Sequence, residues 1–194
     1  KLKAKGISVQ FEIPQNPFPY SEEELVAAHV ETGQGRARMV VLRPEFMVLE
    51  GERKPVSVLN IREMLKDNPF GSRKIFYDQD WYDSQPFAQA SLTPGYSMPT
   101  KDVLQASLGK TWNQQQGLLL PGEKRREAVE AVWDTVLYYA ATGKKLLPSH
   151  WDWTATRTSD GYLVDVGGFD SDGLGVYNWN PGYPHSRIGV CSSR

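Results

Sequence analysis

The sequence predicts an α+β fold in which the helices come first along the chain and an antiparallel sheet comes last. A helical apolar period runs through 124–142, where Val129, Val132 and Val136 recur at spacings of three and four residues. After Pro148 the pattern changes to short alternating runs that are rich in Trp, Thr and Val and separated by turns. With 194 residues, the chain is long enough for one large domain or two small ones.

The N-terminal segment carries a strand signal and a helix signal. Alternation of apolar residues predicts a strand over 7–13, followed by a proline-rich loop. Ser21 and Glu24 have the spacing of a capping box, which opens a helix over 21–30 that we expect Gly33 to end.

The middle of the chain alternates between strands and helices. Two strands are predicted within 38–49, on either side of Pro44. Ser57 is placed to cap a helix that stops before Pro69, and 74–77 reads as another strand.

The C-terminal elements follow a turn-rich stretch. Within that stretch, 99–104 has the pattern of a helix start, and the helix of 124–142 should end at Gly143. The sheet strands are expected at 151–156, 162–166, 173–176 and 188–191, with an irregular loop over 177–187.

Composition excludes several classes of protein. Lys and Arg number 22 against 23 for Asp and Glu, so the net charge of −1 lacks the basic excess of a dedicated nucleic-acid binder. No apolar run is long enough to cross a bilayer, and no N-terminal signal peptide is visible. Cys191 is the single cysteine, which excludes an intrachain disulfide and cysteine-rich zinc sites.

Charge is distributed unevenly along the chain. Glu130 is the last glutamate and Lys145 the last lysine, after which Gly, Ser, Asn, Tyr and Trp accumulate. Solvated surfaces normally use Lys and Glu, whereas Tyr, Ser, Gly and Asn are typical of binding surfaces. The C-terminal region therefore has the composition of a binding face.

Motifs for catalysis or metal binding are weak. The three histidines fit no zinc-binding spacing, so we expect His150 to be a partly exposed residue before a strand and not a ligand. Asp165, Asp170 and Asp172 lack the closing glutamate of a calcium loop and read as turn residues. Cys191 reads as a buried, inert thiol. We expect no catalytic residue, no metal and no cofactor.

Two tryptophans are expected to support the C-terminal region. Trp153 shares a strand face with Trp151 and is assigned to the sheet core. Trp179 either pins the loop of 177–187 to the body or is exposed as an anchor for a ligand, and the first interpretation is favoured because a long irregular loop needs an ordering contact.

The C-terminal third resembles the variable proteins of diversity-generating retroelements, a family that includes phage major tropism determinants and relatives in archaeal viruses and small-genome microbes. The matching segments are WTAT at 153–156, DGYLVDVGGF at 160–169, GLGV at 173–176, IGV at 188–190 and a terminal Arg194. KTWNQQQ at 110–116 and YAATG at 139–143 are also similar. The resemblance covers 73–194.

This resemblance implies a C-type-lectin-like domain over 73–194, in which a small antiparallel sheet and two helices support a C-terminal loop-and-strand surface. Residues 1–72 then form an N-terminal α+β extension, which either stands apart or packs as part of one domain. The variable region implied by the family spans about 160–194.

In this family, copying errors at adenines rewrite chosen codons of the form AAC or AAT, which cannot become codons for Lys, Glu, Gln, Met or Trp. The resemblance therefore implies a set of diversified, ligand-binding positions and leaves Trp179 and Trp153 as scaffold. These positions are Tyr177, Asn178, Asn180, Gly182, Tyr183, His185, Ser186 and Arg187, with Gly168, Asp170 and Gly175 as weaker candidates. The absence of Glu and Lys from 160–194 is the pattern that such rewriting leaves.

The chain departs from other branches of the fold. Trp179-Asn180-Pro181 is not the Trp-Asn-Asp calcium motif of the true lectins, whose paired disulfides are also missing, and the cysteine chemistry of formylglycine-generating relatives is absent.

The expected function is a binding protein that displays a diversified surface to a protein or glycan target on a host or neighbouring cell. Display on a virion or a cell surface is expected, and the sequence sets no oligomeric state. The alternatives are a virion assembly protein whose loop contacts another subunit and, less favoured, an enzyme of the same fold that uses His150, Asp152 and Asp165.

Overall fold

The computed structural model describes residues 9–15, 17–30, 36–67, 69–71 and 74–194, and these form a mixed α+β structure, as predicted. The helices are Glu22–Val30 (α1), Val58–Met64 (α2), Pro86–Gln89 (α3), Trp112–Gln116 (α4) and Ala128–Thr142 (α5). The strands are Val9–Glu12 (β1), Val41–Arg43 (β2), Phe46–Leu49 (β3), Glu52–Pro55 (β4), Gly95–Ser97 (β5), Lys124–Arg125 (β6), Trp151–Arg157 (β7), Leu163–Asp170 (β8), Gly173–Trp179 (β9), Ile188–Gly189 (β10) and Ser192–Ser193 (β11).

The C-terminal sheet has four strands in the order β10-β7-β8-β9. β7, β8 and β9 are antiparallel neighbours, as predicted, but β10 pairs in parallel with β7. The expectation of a wholly antiparallel sheet is therefore wrong at this edge. Because β10 runs in the same direction as β9, the loop of 180–187 has to cross the sheet before the chain pairs again.

Helix α5 lies against this sheet and confirms the helical period. Val129, Val132 and Val136 are buried, and Gly143 ends the helix in the left-handed conformation, with φ of 75°. The helix begins at Ala128 and not at residue 124. Lys124–Arg125 instead pairs with the C-terminal strand β11, so the backbone of these two residues is extended and cannot belong to the helix.

One hydrophobic cluster joins the N-terminal and C-terminal parts of the chain. Met47 and Ile61 belong to the same buried cluster as Val132, Val166 and Leu174. The segment before residue 73 therefore contributes to the core that supports the C-terminal sheet.

Two N-terminal helix caps form as predicted. Ser21 and Glu24 make the reciprocal bonds of a capping box, with 2.8 Å from the Ser21 amide to the Glu24 carboxylate, and Ser57 caps α2. The two strands around Pro44 are also present, as β2 and β3. The expected end of α1 at Gly33 lies outside the described residues.

Two predicted elements are absent from the described structure. Residues 74–77 form no strand, although Phe76 makes an isolated parallel bridge to Leu174. No helix starts in 99–104, because the Thr100 and Leu104 amides bond to the C-terminal segment, and a short 3-10 turn follows at Gln105–Ser107.

Within the part of the chain that the structure describes, none of the helices combines the length and apolar character needed to cross a membrane.

Candidate functional site

The C-terminal sheet presents two different faces because side chains alternate along its strands. Val164 and Val176 belong to the hydrophobic cluster that also contains residues of α5. The opposite side carries Trp151 and Trp153 on β7, and Tyr177 and Trp179 on β9; we call it the aromatic face.

The aromatic face has a buried layer under an exposed one. Trp153 is fully buried and packs with Leu163 and Ile188. Tyr177 remains 39% exposed, and its ring meets that of Trp151 at 5.1 Å between centroids and an angle of 78°. Trp153 therefore lies in the core, whereas Tyr177 is accessible to a partner.

Four of the candidate positions meet in one cleft of about 140 Å³. The four are Gly168, Asp170, Gly175 and Tyr177. Tyr77, Trp151, Asp172 and Gly173 complete the lining. The tertiary structure thus joins candidates from β8 and β9 with a tyrosine from the distant segment 74–78.

Trp151 occupies the space that side chains at two of these candidates would need. A Cβ atom would lie 2.2 Å from the indole at Gly168 and 2.4 Å from it at Gly175. A substitution at either glycine therefore requires the Trp151 ring to move, which sets both apart from the exposed candidates.

The loop of 180–187 is attached to the body through its main chain. The Pro181 carbonyl accepts from the Trp112 amide (3.1 Å), the His185 carbonyl from the Gly109 amide (3.0 Å) and the Arg187 carbonyl from the Trp151 amide (2.9 Å). Each of these three bonds joins main-chain groups on both sides, so none of them depends on which side chains the loop carries.

Trp179, the last residue of β9, provides a fourth attachment for the loop. Its indole N–H donates to the Tyr183 carbonyl at 2.9 Å, and its ring makes an edge contact with His185 at 5.1 Å. Trp179 is nevertheless 37% exposed and Tyr183 is 64% exposed. The indole thus orders the loop, and part of its surface remains accessible.

Most loop candidates face solvent. Gly182, Tyr183, Ser186 and Arg187 are exposed. Asn180 is half-buried, and its side chain accepts from the Gly182 amide at 2.9 Å, which shapes the turn.

Two candidates differ from this pattern. Asn178 alternates with Tyr177 and so points to the opposite side of β9, at the end of the strand. The prediction that Tyr177 and Asn178 belong to an irregular loop is wrong, because β9 continues through Trp179 and both are strand residues. His185 is half-buried, and its Nδ1 accepts from the Arg187 amide.

The residues of the enzymatic alternative do not converge. His150 contacts Asp102 at 3.1 Å, and Asp152 is buried in an ion pair with Arg126. Asp165 lies on the aromatic face, since its register partner is Trp153, whereas Asp152 points to the other side. Among the described residues, no three His, Cys, Asp or Glu side chains are grouped to hold a metal ion.

Two buried acidic groups have raised pKa values. Burial, with a smaller effect of Asp152, raises the pKa of Asp165 to about 8, and its Oδ2 has no hydrogen-bond partner within the described structure. Burial also raises the pKa of the Cys191 thiol, which suits an inert buried residue.

Sequence reasoning missed Tyr77 and underrated Asp172 as parts of the site. The Tyr77 amide donates to the Leu174 carbonyl at 3.0 Å, and this places its ring 6.1 Å from that of Tyr177. No local signal connects positions so far apart in sequence.

A larger concavity of about 770 Å³ lies between α2 and the segment 74–83. Its described lining mixes acidic residues such as Glu63 and Asp83 with basic residues such as Arg62 and Lys66, and it contains none of the candidate positions.

Comparison with known proteins gives no further identification. No family model matches the chain, and neither curated proteins nor solved structures show a significant match to it.

Proposed function

We propose that this chain is a target-binding display protein whose C-terminal surface is diversified by a retroelement. The observation that carries the proposal is the loop of 180–187, which bonds to the body through main-chain groups while Tyr183, Ser186 and Arg187 face solvent. Side chains at such positions can change without altering the path of the backbone. A diversified binding surface needs side chains that can vary while the backbone keeps its path.

The chemistry of the surface supports the same function. Exposed tyrosines provide large contact areas at a low cost in side-chain entropy, and small polar residues provide adaptable hydrogen bonds. Tyr177 and Tyr183 are the proposed anchors for a protein or glycan target on a host or neighbouring cell. Display on a virion or cell surface belongs to this proposal.

A C-type-lectin-like body is part of the proposal. Its support is the sequence resemblance, together with a small sheet on which α5 packs and a short second helix within 73–194, α3, that contacts α5. Tyr177 and Trp179 of β9 lie on the other side of that sheet, and Trp179 contacts Tyr183 and His185 of the loop. This is the general arrangement that the resemblance implies.

The gene and its flanking DNA provide the decisive test. We expect a nearby reverse-transcriptase gene and a near-copy of the region encoding 160–194 that carries adenines where the two copies differ. The codons of Gly182, Ser186 and Arg187 should end in a pyrimidine, as rewritten AAC or AAT codons do. A gene with no near-copy, or with purines at these third positions, contradicts the proposal.

A protein experiment separates target binding from the assembly alternative. A triple variant, Tyr183→Ser, Ser186→Asn and Arg187→Ser, should keep the fold and the oligomeric state of the parent, measured by thermal unfolding and by light scattering. Loss of self-association in this variant would favour an assembly role for the loop. Unfolding of the variant would show that the side chains themselves hold the loop, against the proposal.

A further inference from the structure

The cleft of the aromatic face is sized for one small chemical group. Its volume is about 140 Å³, whereas sites for drug-sized ligands usually measure roughly 300–1,000 Å³. Its lining is accessible to solvent at Tyr77, which is 40% exposed, at Tyr177, and at Asp170 and Asp172. A single side-chain head or head group is therefore the occupant that fits.

Three aromatic rings are grouped at this cleft. Tyr177 lies between the other two, with its ring centroid 5.1 Å from that of Trp151 and 6.1 Å from that of Tyr77. The rings are inclined to one another by 78° and 42°, so they do not form a parallel stack. Inclined aromatic rings around a small space are the arrangement that attracts an organic cation, through the negative potential of the ring faces.

The charge of the lining points in the same direction. Asp170 and Asp172 contribute carboxylates, and the described lining contains no Lys or Arg. The Asp172 amide donates to Oδ1 of Asp170 at 2.9 Å, which orients that carboxylate at the turn between β8 and β9. The Lys145 ammonium donates to the backbone carbonyl of Asp170 and lies 4.6 Å from the centre of the Phe169 ring.

Glycines allow the walls of the cleft to pack closely, with Trp151 against Gly168 and Gly175 and the Phe76 backbone against Gly173. Gly168, Gly173 and Gly175 line the cleft, and a Cβ atom at any of them would come within 2.5 Å of the surrounding atoms. The positive φ values of Gly168 (+55°) and Gly173 (+117°) also favour glycine at these two positions.

We infer that this cleft binds a single alkylammonium group, such as the head of a lysine side chain or a choline group. The inference rests on the proposed function, because it names the chemical class that this part of the target-binding surface selects. Tyr77, Trp151 and Tyr177 surround the cation, and Asp170 and Asp172 add electrostatic attraction.

The test uses small probes of matched shape on the full chain. Choline is titrated beside 3,3-dimethyl-1-butanol, its neutral carbon analogue, and Nα-acetyl-lysine methylamide represents the lysine side chain. Binding is followed by NMR at the Trp151 indole N–H and at the Gly168 and Gly175 amides. We expect saturable shifts with at least one cation, at millimolar affinity, and no saturable shift with the neutral analogue.

Variants identify the groups responsible. Asp170→Asn combined with Asp172→Asn should weaken cation binding by roughly fivefold or more, and Tyr177→Leu should weaken it by a similar factor. Asp67→Asn combined with Glu22→Gln, at two exposed carboxylates outside the cleft, is the matched charge control and should bind as the parent does. Should Tyr177→Leu fail to fold, Tyr77→Leu replaces it, since that ring is exposed.

The outcomes are separable from those of the proposed function. Equal binding of choline and its neutral analogue, no binding of either cation, or unchanged affinity in the double Asp variant each overturns the cation site. The retroelement proposal is still decided separately, by the near-copy and the codons of the gene. Conversely, cation binding without a near-copy in the genome would establish the site in a protein of another function.

Discussion

Arg126 and Asp152 form an ion pair that is almost completely removed from solvent. The Arg126 Nε and Nη2 atoms both donate to Oδ2 of Asp152, at 2.9 and 2.8 Å. Oδ1 of the same carboxylate accepts from the Cys191 amide at 2.8 Å, and Arg126 also bonds to Asp134 on α5. This pair therefore connects the sheet, the central helix and the C-terminal segment behind the candidate surface.

Replacing Arg126 by methionine should destabilise the whole protein. Burial disfavours the Arg126 charge, but its interactions with Asp152, Cys191 and Asp134 together outweigh this effect and raise the pKa of the guanidinium, which is therefore charged in the native state. Removing one partner of a buried ion pair typically costs about 3–5 kcal/mol, because the other charge is left buried and uncompensated. Urea unfolding of Arg126→Met measures this loss.

Arg157→Met is the matched control for that experiment. Arg157 is exposed and bonds to the Gly161 carbonyl at 2.9 Å, so its replacement should change the free energy of unfolding by less than about 0.5 kcal/mol. Equal effects of the two substitutions would show that the buried network contributes nothing specific to stability.

Asp165 should make the protein less stable as the pH rises. Its pKa is about 8 in the folded chain against a reference of 3.8, so the folded state holds a proton that the unfolded state releases. Its contribution is fully present below about pH 4 and declines by about 1.4 kcal/mol per pH unit until about pH 8. Asp165→Asn should remove this decline.

The measurement is the free energy of unfolding of the parent and of Asp165→Asn between pH 4 and pH 9. The difference between them should grow in favour of the variant as the pH rises. Asp67→Asn, at an exposed carboxylate, should follow the parent at every pH. A constant difference between Asp165→Asn and the parent would contradict the raised pKa.

Trp179→Phe should loosen the loop of 180–187 with little effect on the rest of the fold. The phenyl ring retains much of the contact with His185 but cannot donate to the Tyr183 carbonyl, a bond of 2.9 Å that contributes about 1 kcal/mol. Hydrogen exchange should accelerate at the Gly109 and Trp112 amides, which bond to loop carbonyls.

Tyr183→Phe provides the comparison for this variant. It removes an exposed hydroxyl and leaves the Tyr183 carbonyl in place, so exchange at the same two amides should stay at the parental rate. If Tyr183→Phe accelerated exchange as much as Trp179→Phe, the indole bond would not be what orders the loop.

Serine should be tolerated at Gly182 but not at Gly175, although both are candidate positions. A Cβ at Gly175 meets the Trp151 indole at 2.4 Å, so Gly175→Ser must displace that ring, at a cost of about 1–3 kcal/mol. At Gly182 the nearest contact is the Asn180 side chain at 3.3 Å. Thermal unfolding and tryptophan fluorescence distinguish the two variants.

This comparison also bears on which positions a diversifying element can use. If Gly175→Ser were as stable as the parent and left the fluorescence unchanged, the cleft would have more freedom than its geometry indicates. If it is destabilised as expected, Gly168 and Gly175 belong with the supporting residues of the site.

Patterns that repeat locally were predictable from sequence. The 3.6-residue period identified α5, the capping residues Ser21 and Ser57 identified α1 and α2, and alternation located β7, β8 and β9. Each of these signals lies within a few neighbouring residues, so no knowledge of distant contacts was needed.

Elements that depend on distant partners were mispredicted. Lys124–Arg125 was assigned to a helix because its own sequence permits one, yet its backbone pairs with Ser192–Ser193 at the end of the chain. The parallel pairing of β10 with β7 likewise follows from the route of a loop whose sequence has no apolar period.

The sequence by itself determined the α+β class, the principal helix, the three antiparallel strands of the C-terminal sheet and a set of candidate binding positions. The tertiary structure alone decided how those positions differ: Tyr183, Ser186 and Arg187 are exposed, Gly168 and Gly175 lie against Trp151, and Asn178 faces the other side of its strand. It also brought Tyr77 to the cleft. Periodicity records which face of an element is apolar, whereas the identity of the group that covers that face depends on chain segments far away in sequence.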